Sequence, residues 1–315
     1  MASRDDSTTR LQPLSWFTLL CLAVAMWAFA ANSILCRLAL AGRHIDPLSF
    51  TSIRLVSGAV TLTLILVARN RRPVITIDPL ATVALIVYAV AFSISYVGLA
   101  AGVGALLLFG AVQVTMLSVG FMRGERLAGS ARYGFVIAVA GLVAYLLPGN
   151  DVPPLMPVAA MLLAGGAWGI YSLRGAHGQD PIAATTSNFL AAAPITVMLA
   201  YLFSDGWHLS SQGIVLAALS GSLTSGLGYV LWYFVVRRIP SLTAATVQLG
   251  VPIFAALGGV VWLGEQLGAR LVAASVAVIG GIALVVFSRH ATAAPRPGAA
   301  SDRAGHEQWV HGGGI

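Results

Sequence analysis

Polar residues divide this chain into apolar runs of about one bilayer thickness each, and the pattern predicts ten helices. The charge-poor runs fall near 15–36, 47–68, 80–100, 103–122, 131–148, 154–173, 183–203, 212–236, 241–263 and 271–288. About 20 residues of helix cross the hydrocarbon core, so each run is a candidate span. One boundary needs an argument, because Leu80 to Met122 contains no charge. As a single helix it would be ~65 Å long, about twice the hydrocarbon thickness. Gly98, Gly102 and Gly104 mark the predicted turn. Pro252 interrupts the ninth run and predicts a kink or gating position there.

The runs repeat. Gly124-Glu125-Arg126-Leu127 recurs as Gly264-Glu265-Gln266-Leu267, Trp27 as Trp168, and Asp46-Pro47 as Asp180-Pro181. The chain divides into an N-terminal segment 1–14, a five-helix unit over 15–148, a second over 154–288, and a disordered tail over 289–315. Because five is odd, the second unit enters the bilayer inverted, the plan of a secondary transporter. The predicted fold class is an all-α integral membrane protein of ten transmembrane helices in two inverted five-helix repeats.

Composition agrees. Of 315 residues, 58% are hydrophobic and 9% charged, against about 25% charged in a soluble domain. All 18 basic residues are arginine. The net charge of +7 does not point to nucleic acid, because the arginines cluster between apolar runs as membrane orientation requires. With the N-terminus inside, the cytoplasmic segments hold Arg4, Arg10, Arg69, Arg71, Arg72, Arg123, Arg126, Arg132, Arg174, Arg237, Arg238, Arg289, Arg296 and Arg303. Only Arg37, Arg43 and Arg270 fall outside, which predicts both termini in the cytoplasm of a bacterial inner membrane. Arg4, Arg10 and Ala28-Phe29-Ala30 also fit a cleavable signal. Cleavage there would remove Trp27 and leave the first unit one span short, so we read a retained helix. Cys21 and Cys36, ~22 Å apart on one helix, cannot pair.

Candidate chemistry is sparse, and no enzyme motif is present. The six histidines lie in loops or the tail without metal spacing, and no cofactor is predicted. Arg54, about seven residues past Pro47, is the one charge well inside a run. Insertion scales charge such a residue roughly 2.5–3.5 kcal/mol. It is either a partner for a substrate carboxylate or phosphate, or a structural arginine. Its repeat counterpart is Asn188. Ser222, Ser225, Tyr229, Trp232 and Tyr233 share one face of the eighth helix. They line a cavity or, for Trp232 and Tyr233, form an interfacial aromatic belt. Ser93, Ser95 and Tyr96 add polar groups from the third helix. Gln113 and Gln248 are mid-span amides that need partners inside the bundle. Trp27, with Asn32 just beyond it, and Trp168 occupy matching places, with packing as the plain alternative. No acidic residue lies in mid-membrane. Glu125 and Glu265 sit at helix ends, where capping or tying a loop is the expected role.

These residues resemble the EamA-type transporters of the drug/metabolite transporter superfamily. The resemblance spans about 15–288 and is most specific at Ser225-Gly-Leu-Gly-Tyr229, Trp232-Tyr233, Ala245 through Pro252, Gly264-Glu265 and Ala167-Trp168-Gly169. It implies an inner-membrane carrier of small polar metabolites such as amino acids, exporting or exchanging them by alternating access. It also implies a central cavity near Trp27, Tyr96, Gln113, Trp168, Tyr229 and Gln248. The expected partners are a small-molecule substrate and the lipid bilayer, with monomer or homodimer left open. A non-transporting scaffold or receptor subunit with this fold is the alternative. No acidic residue lies between Ser15 and Cys36, unlike the small four-helix multidrug relatives.

Overall fold

A computed structural model describes residues 15–70, 76–122, 129–147, 153–175, 180–204, 208–239 and 247–293. The described residues are helical throughout, apart from one isolated bridge between Ile45 and Leu209. We number the helices α1 Trp16–Ala41, α2 Pro47–Ala68, α3 Pro79–Tyr96, α4 Ala101–Met122, α5 Gly129–Leu146, α6 Leu155–Gly175 and α7 Pro181–Phe203. Then follow α8 Ser211–Val236, α9 Val251–Leu263 and α10 Ala269–Ala293. The first eight are long and apolar enough to cross a membrane, and α9 and the Ala269–Val285 part of α10 are shorter apolar stretches. The protein is an all-α, multi-pass membrane protein.

Local chemistry explains the helix starts. Asp46 Oδ1 accepts from the Leu48 and Ser49 amides at 3.1 and 2.9 Å, with Pro47 opening α2. Asp180 Oδ1 does the same for Ile182 and Ala183 at the start of α7, again before proline. Both recurring Asp-Pro pairs are therefore N-caps, whose oxygens satisfy amides that a helix start leaves free. Asp78-Pro79 caps α3 in the same way, accepting from Ala81 at 3.1 Å.

Three boundaries differ from the hydrophobic pattern. The α3–α4 turn occupies 97–100, so Gly98 lies in it while Gly102 and Gly104 belong to α4. There they are packing positions: a Cβ on Gly104 would come within 2.4 Å of the Tyr96 ring, and one on Gly102 within 2.7 Å of Ala256. The ninth run is broken: Val247-Gln248 are helical, Leu249-Gly250 forms a turn, and α9 starts at Val251 with Pro252 in its first turn. Proline is favoured there, where its missing N–H removes no helix bond. It therefore opens α9, and the break in the run falls at the Leu249-Gly250 turn just before it. Helix α10 continues to Ala293, past 288.

The helices pack in a pattern that survives exchange of the two halves. Helix α3 lies on α6 as α8 lies on α1, α4 on α6 as α9 on α1, and α3 on α7 as α8 on α2. The pairs α2–α7, α4–α9 and α5–α10 map onto themselves. Directions are set by contacts at the ends. Ser204, after α7, donates to Asp46 Oδ1 at the start of α2 at 2.8 Å, so these helices run antiparallel. Arg174, at the end of α6, reaches Asp78 at the start of α3 at 2.7 Å. Between α5 and α10 the backbones touch, since a Cβ on Gly134 or Gly281 would lie 2.5 Å from the other's carbonyl oxygen.

Candidate functional site

Arg54 is at the centre of this bundle, 1% exposed on α2. Its Nε donates to Ser225 Oγ on α8 at 3.2 Å, and Nη2 donates to Tyr88 Oη on α3 at 2.9 Å. The guanidinium carbon lies over the Tyr88 ring, 5.2 Å from its centre, and over the Phe92 ring at 5.0 Å. Nη1, also buried, has no hydrogen-bond partner. A guanidinium in such a place should be paired, so this nitrogen is a buried cationic donor left without an acceptor.

Around it runs a continuous set of rings. Trp168 on α6 lies 4.7 Å from Tyr88, 5.3 Å from Tyr171 and 5.5 Å from Tyr229 on α8. Tyr229 also meets Phe189 of α7 and Phe29 of α1, each at 6.0 Å. At the other end Phe92 meets Tyr96 at 4.8 Å. Four predicted site residues, Arg54, Tyr96, Trp168 and Tyr229, thus belong to one cluster drawn from both halves of the chain. Trp232 touches Phe29 at 5.9 Å, and the Tyr233 hydroxyl accepts from Thr185 of α7 at 3.3 Å.

The α8 side of the cluster has a feature that spacing did not reveal. Ser220–Leu227 is π-helical. The wider turn brings Ser225 to Arg54 and also points Ser220 and Thr224 at Asn32, whose Oδ1 accepts from them at 2.7 and 3.1 Å. π-Turns inside α-helices often mark functional sites. Gly221 makes the approach possible, because a Cβ there would lie 2.1 Å from the Arg54 carbonyl oxygen and 1.9 Å from Ser57 Oγ.

The other predicted residues lie apart from this cluster. Trp27 is 42% exposed and packs on Phe254 and Trp262 at 5.0 and 6.4 Å. It lines an apolar groove of about 580 Å³ between α1, α8 and α9, not the neighbourhood of its counterpart Trp168. Gln113 is buried beside a small recess between α4, α5 and α10. Asn188 is buried and accepts from Thr82 of α3 at 3.4 Å. Gln248 is half-buried just before the Leu249-Gly250 turn. Ser93 accepts from Thr51 at 2.7 Å and Ser95 donates to Ala91, both interhelical or local ties. Tyr88 and Phe92 were the residues that sequence reasoning missed. The available signal was an aromatic stripe at Tyr88, Phe92 and Tyr96, four residues apart on one helix face.

Glu265 has a defined place as well. Its Oε2 accepts from the Ala101 amide at 2.8 Å, capping α4, and Oε1 meets Arg37 Nε at 3.3 Å. Arg37 also donates to the Tyr96 and Val97 carbonyls at 2.9 and 3.0 Å. Gly264, at φ 65°, makes the left-handed turn that returns Glu265 to this spot. One end of α1, α3, α4 and α9 is thereby tied together. Glu125 lies outside the described residues. Cys21 and Cys36 are free and buried. Among the described residues no three His, Cys, Asp or Glu side chains converge as a metal site.

Comparison with known proteins gives this geometry its context. Residues 155–287, from the start of α6 into α10, match the model of the EamA-like transporter family. An uncharacterized protein of Pseudomonas aeruginosa is 50% identical over 279 residues, covering 88% of this chain and 97% of its own. The threonine/homoserine exporter RhtA of Escherichia coli is 33% identical over 141 residues, 42% of this chain and 46% of that protein. A solved crystal structure superimposes with a TM-score of 0.61 at 20% identity, covering 85% of this chain and 98% of its own, which speaks for the fold alone. The helical bundle of the described residues, the family match over 155–287 and the similarity to a relative along nearly the whole chain lead to one conclusion: this protein belongs to the EamA-like transporter family and is not an enzyme.

Proposed function

We propose that this protein is a secondary transporter of small polar metabolites, amino acids and related solutes first, which exports or exchanges them across the bacterial cytoplasmic membrane. The observation that carries this reading is Arg54. It is a cation with one unpartnered donor nitrogen, buried among rings from both halves, where a carrier places its solute. Alternating access follows if the halves rock about this point as two inverted five-helix repeats of a ten-span bundle. The exchange symmetry of the packing and the antiparallel α2–α7 pair support that arrangement. The arginine distribution supports cytoplasmic termini, which puts the Arg37–Glu265 tie on the outer side and Asp78–Arg174 on the inner side. The similarity to a threonine/homoserine exporter puts those solutes at the head of the panel. Arg54, Trp168, Tyr229 and Tyr96 are the proposed substrate contacts. Asn32 acts through the π-turn it holds, and Trp27, Gln113, Asn188 and Gln248 lie outside the proposed contacts.

The test is flux of labelled metabolites in proteoliposomes holding the purified protein, measured in both directions. Saturable, protein-dependent movement of at least one solute is expected. Binding without flux across a broad panel would leave a scaffold or receptor instead.

A further inference from the structure

Building on the transport reading, we propose that the Arg54 site selects solutes bearing a single carboxylate, and that Arg54 Nη1 is the atom that receives it. Two of the three guanidinium nitrogens are held by neutral hydroxyls, Tyr88 and Ser225. The third is buried and unpartnered. The Tyr88 and Phe92 rings, 5.5 Å apart, pack together beside it, and the unpartnered Nη1 offers its N–H groups to an anion in the guanidinium plane, the geometry a carboxylate prefers.

No group of the described chain supplies the missing charge. The described acids are Asp46, Asp78, Asp180 and Glu265, all at helix ends. Asp46 and Asp180 cap helices, Asp78 holds Arg174, and Glu265 holds Arg37 and the α4 amide. Arginine stays protonated at any pH the membrane meets, so the counter-ion has to arrive with the solute. The same layout sets the limits of selectivity. Arg54 is the one described basic side chain away from the helix ends, so one negative charge is balanced and a second is not. The π faces of Trp168, Tyr88 and Tyr229 can accept the ammonium of a zwitterion. A solute with only an ammonium meets Arg54 as a like charge and finds no carboxylate. Monocarboxylates and neutral amino acids are therefore admitted, while amines, amino-acid amides and dianions are not.

The experiment uses the purified full-length protein with two probe mixtures, proteinogenic neutral L-amino acids and short-chain monocarboxylates, each against the corresponding amides. Binding is read by calorimetry and exchange by proteoliposome flux. The expected result is binding of a carboxylate probe at least about tenfold tighter than its amide. Arg54→Gln should abolish that preference and Arg54→Lys should restore part of it. Should Arg54→Gln fail to fold, the wild-type comparison of acid with amide and the Arg54→Lys variant decide the matter. Equal binding of acid and amide, or no binding from either carboxylate mixture, would overturn the proposal. Carboxylate-selective binding without flux would leave it standing and remove the transport reading. Equal flux of acid and amide in the wild type, unchanged in Arg54→Gln, would do the opposite.

Discussion

Replacing Glu265 by alanine removes two interactions at once, and their sizes can be set against each other. The hydrogen bond from the Ala101 amide to a carboxylate oxygen, at 2.8 Å, is charge-assisted and caps α4. Such bonds are worth about 1.5–3 kcal/mol. The Arg37 pair, 3.3 Å long with side chains 21% and 16% exposed, adds about 0.2–1 kcal/mol once solvent screening is allowed for. If the tie exists only when this end of the bundle is closed, Glu265→Ala raises the open population by roughly 15-fold or more, since each 1.4 kcal/mol is tenfold. A native reporter is available. Cys36 is fully buried and precedes Arg37 in the chain, so a membrane-impermeant thiol reagent should reach it only during opening. The rate of Cys36 alkylation, located by mass spectrometry and measured against Cys21 in the far half of α1, should rise by that factor. Glu265→Gln retains an acceptor for Ala101 and should give a smaller rise. The reasoning fails if the alanine variant melts earlier but labels Cys36 at the wild-type rate. It fails equally if both cysteines become reactive together, which would mean general loosening.

Gly221→Val should cost about 1–3 kcal/mol by overpacking, read as a lower melting temperature, because its Cβ would meet the Arg54 carbonyl oxygen at 2.1 Å. A Gly226→Ala control faces only 3.0 Å contacts with Thr61 and should lose less. Asp180→Ala should destabilise α7 by about 0.5–2 kcal/mol through its lost cap, with Asp180→Asn recovering most of it in the same thermal scan. Asp78 gives a pH dependence. Desolvation raises its carboxyl, but the Arg174 hydrogen bond, the Ala81 and Leu80 amides and the Arg174 charge together bring it below the usual carboxylate value. A lowered folded value means the contribution is present above the usual value and lost as pH falls through the lowered one. The α3–α6 tie should therefore persist at mildly acidic pH and weaken only in strong acid, and Asp78→Asn should flatten that part of the stability profile.

What could be read from the sequence depended on how local its cause was. Asp46-Pro47 and Asp180-Pro181 announce helix starts because cap chemistry acts within three residues. Arg54 stood out because hydrocarbon penalises a lone charge wherever the helix faces. Trp27 and Trp168 show where the repeat misleads: equivalent positions in two copies need not share an environment, and only Trp168 turns toward Tyr88 and Tyr229. The π-turn at Ser220–Leu227 arises from the fit of α8 against α1 and α2. Its Gly-Ser-Thr composition permits that fit without announcing it. The break before α9 had a local sign in Gly250 and Pro252, which the hydrophobic run around them concealed.

The central claim is that solute passes by the Arg54 ring cluster and not through the apolar groove at Trp27. Exchange flux in proteoliposomes tests it with two substitutions at repeat-related positions, Trp168→Ala and Trp27→Ala. The account predicts that Trp168→Ala raises KM or abolishes exchange while Trp27→Ala stays near wild type. Loss of exchange in Trp27→Ala with Trp168→Ala unaffected would contradict it.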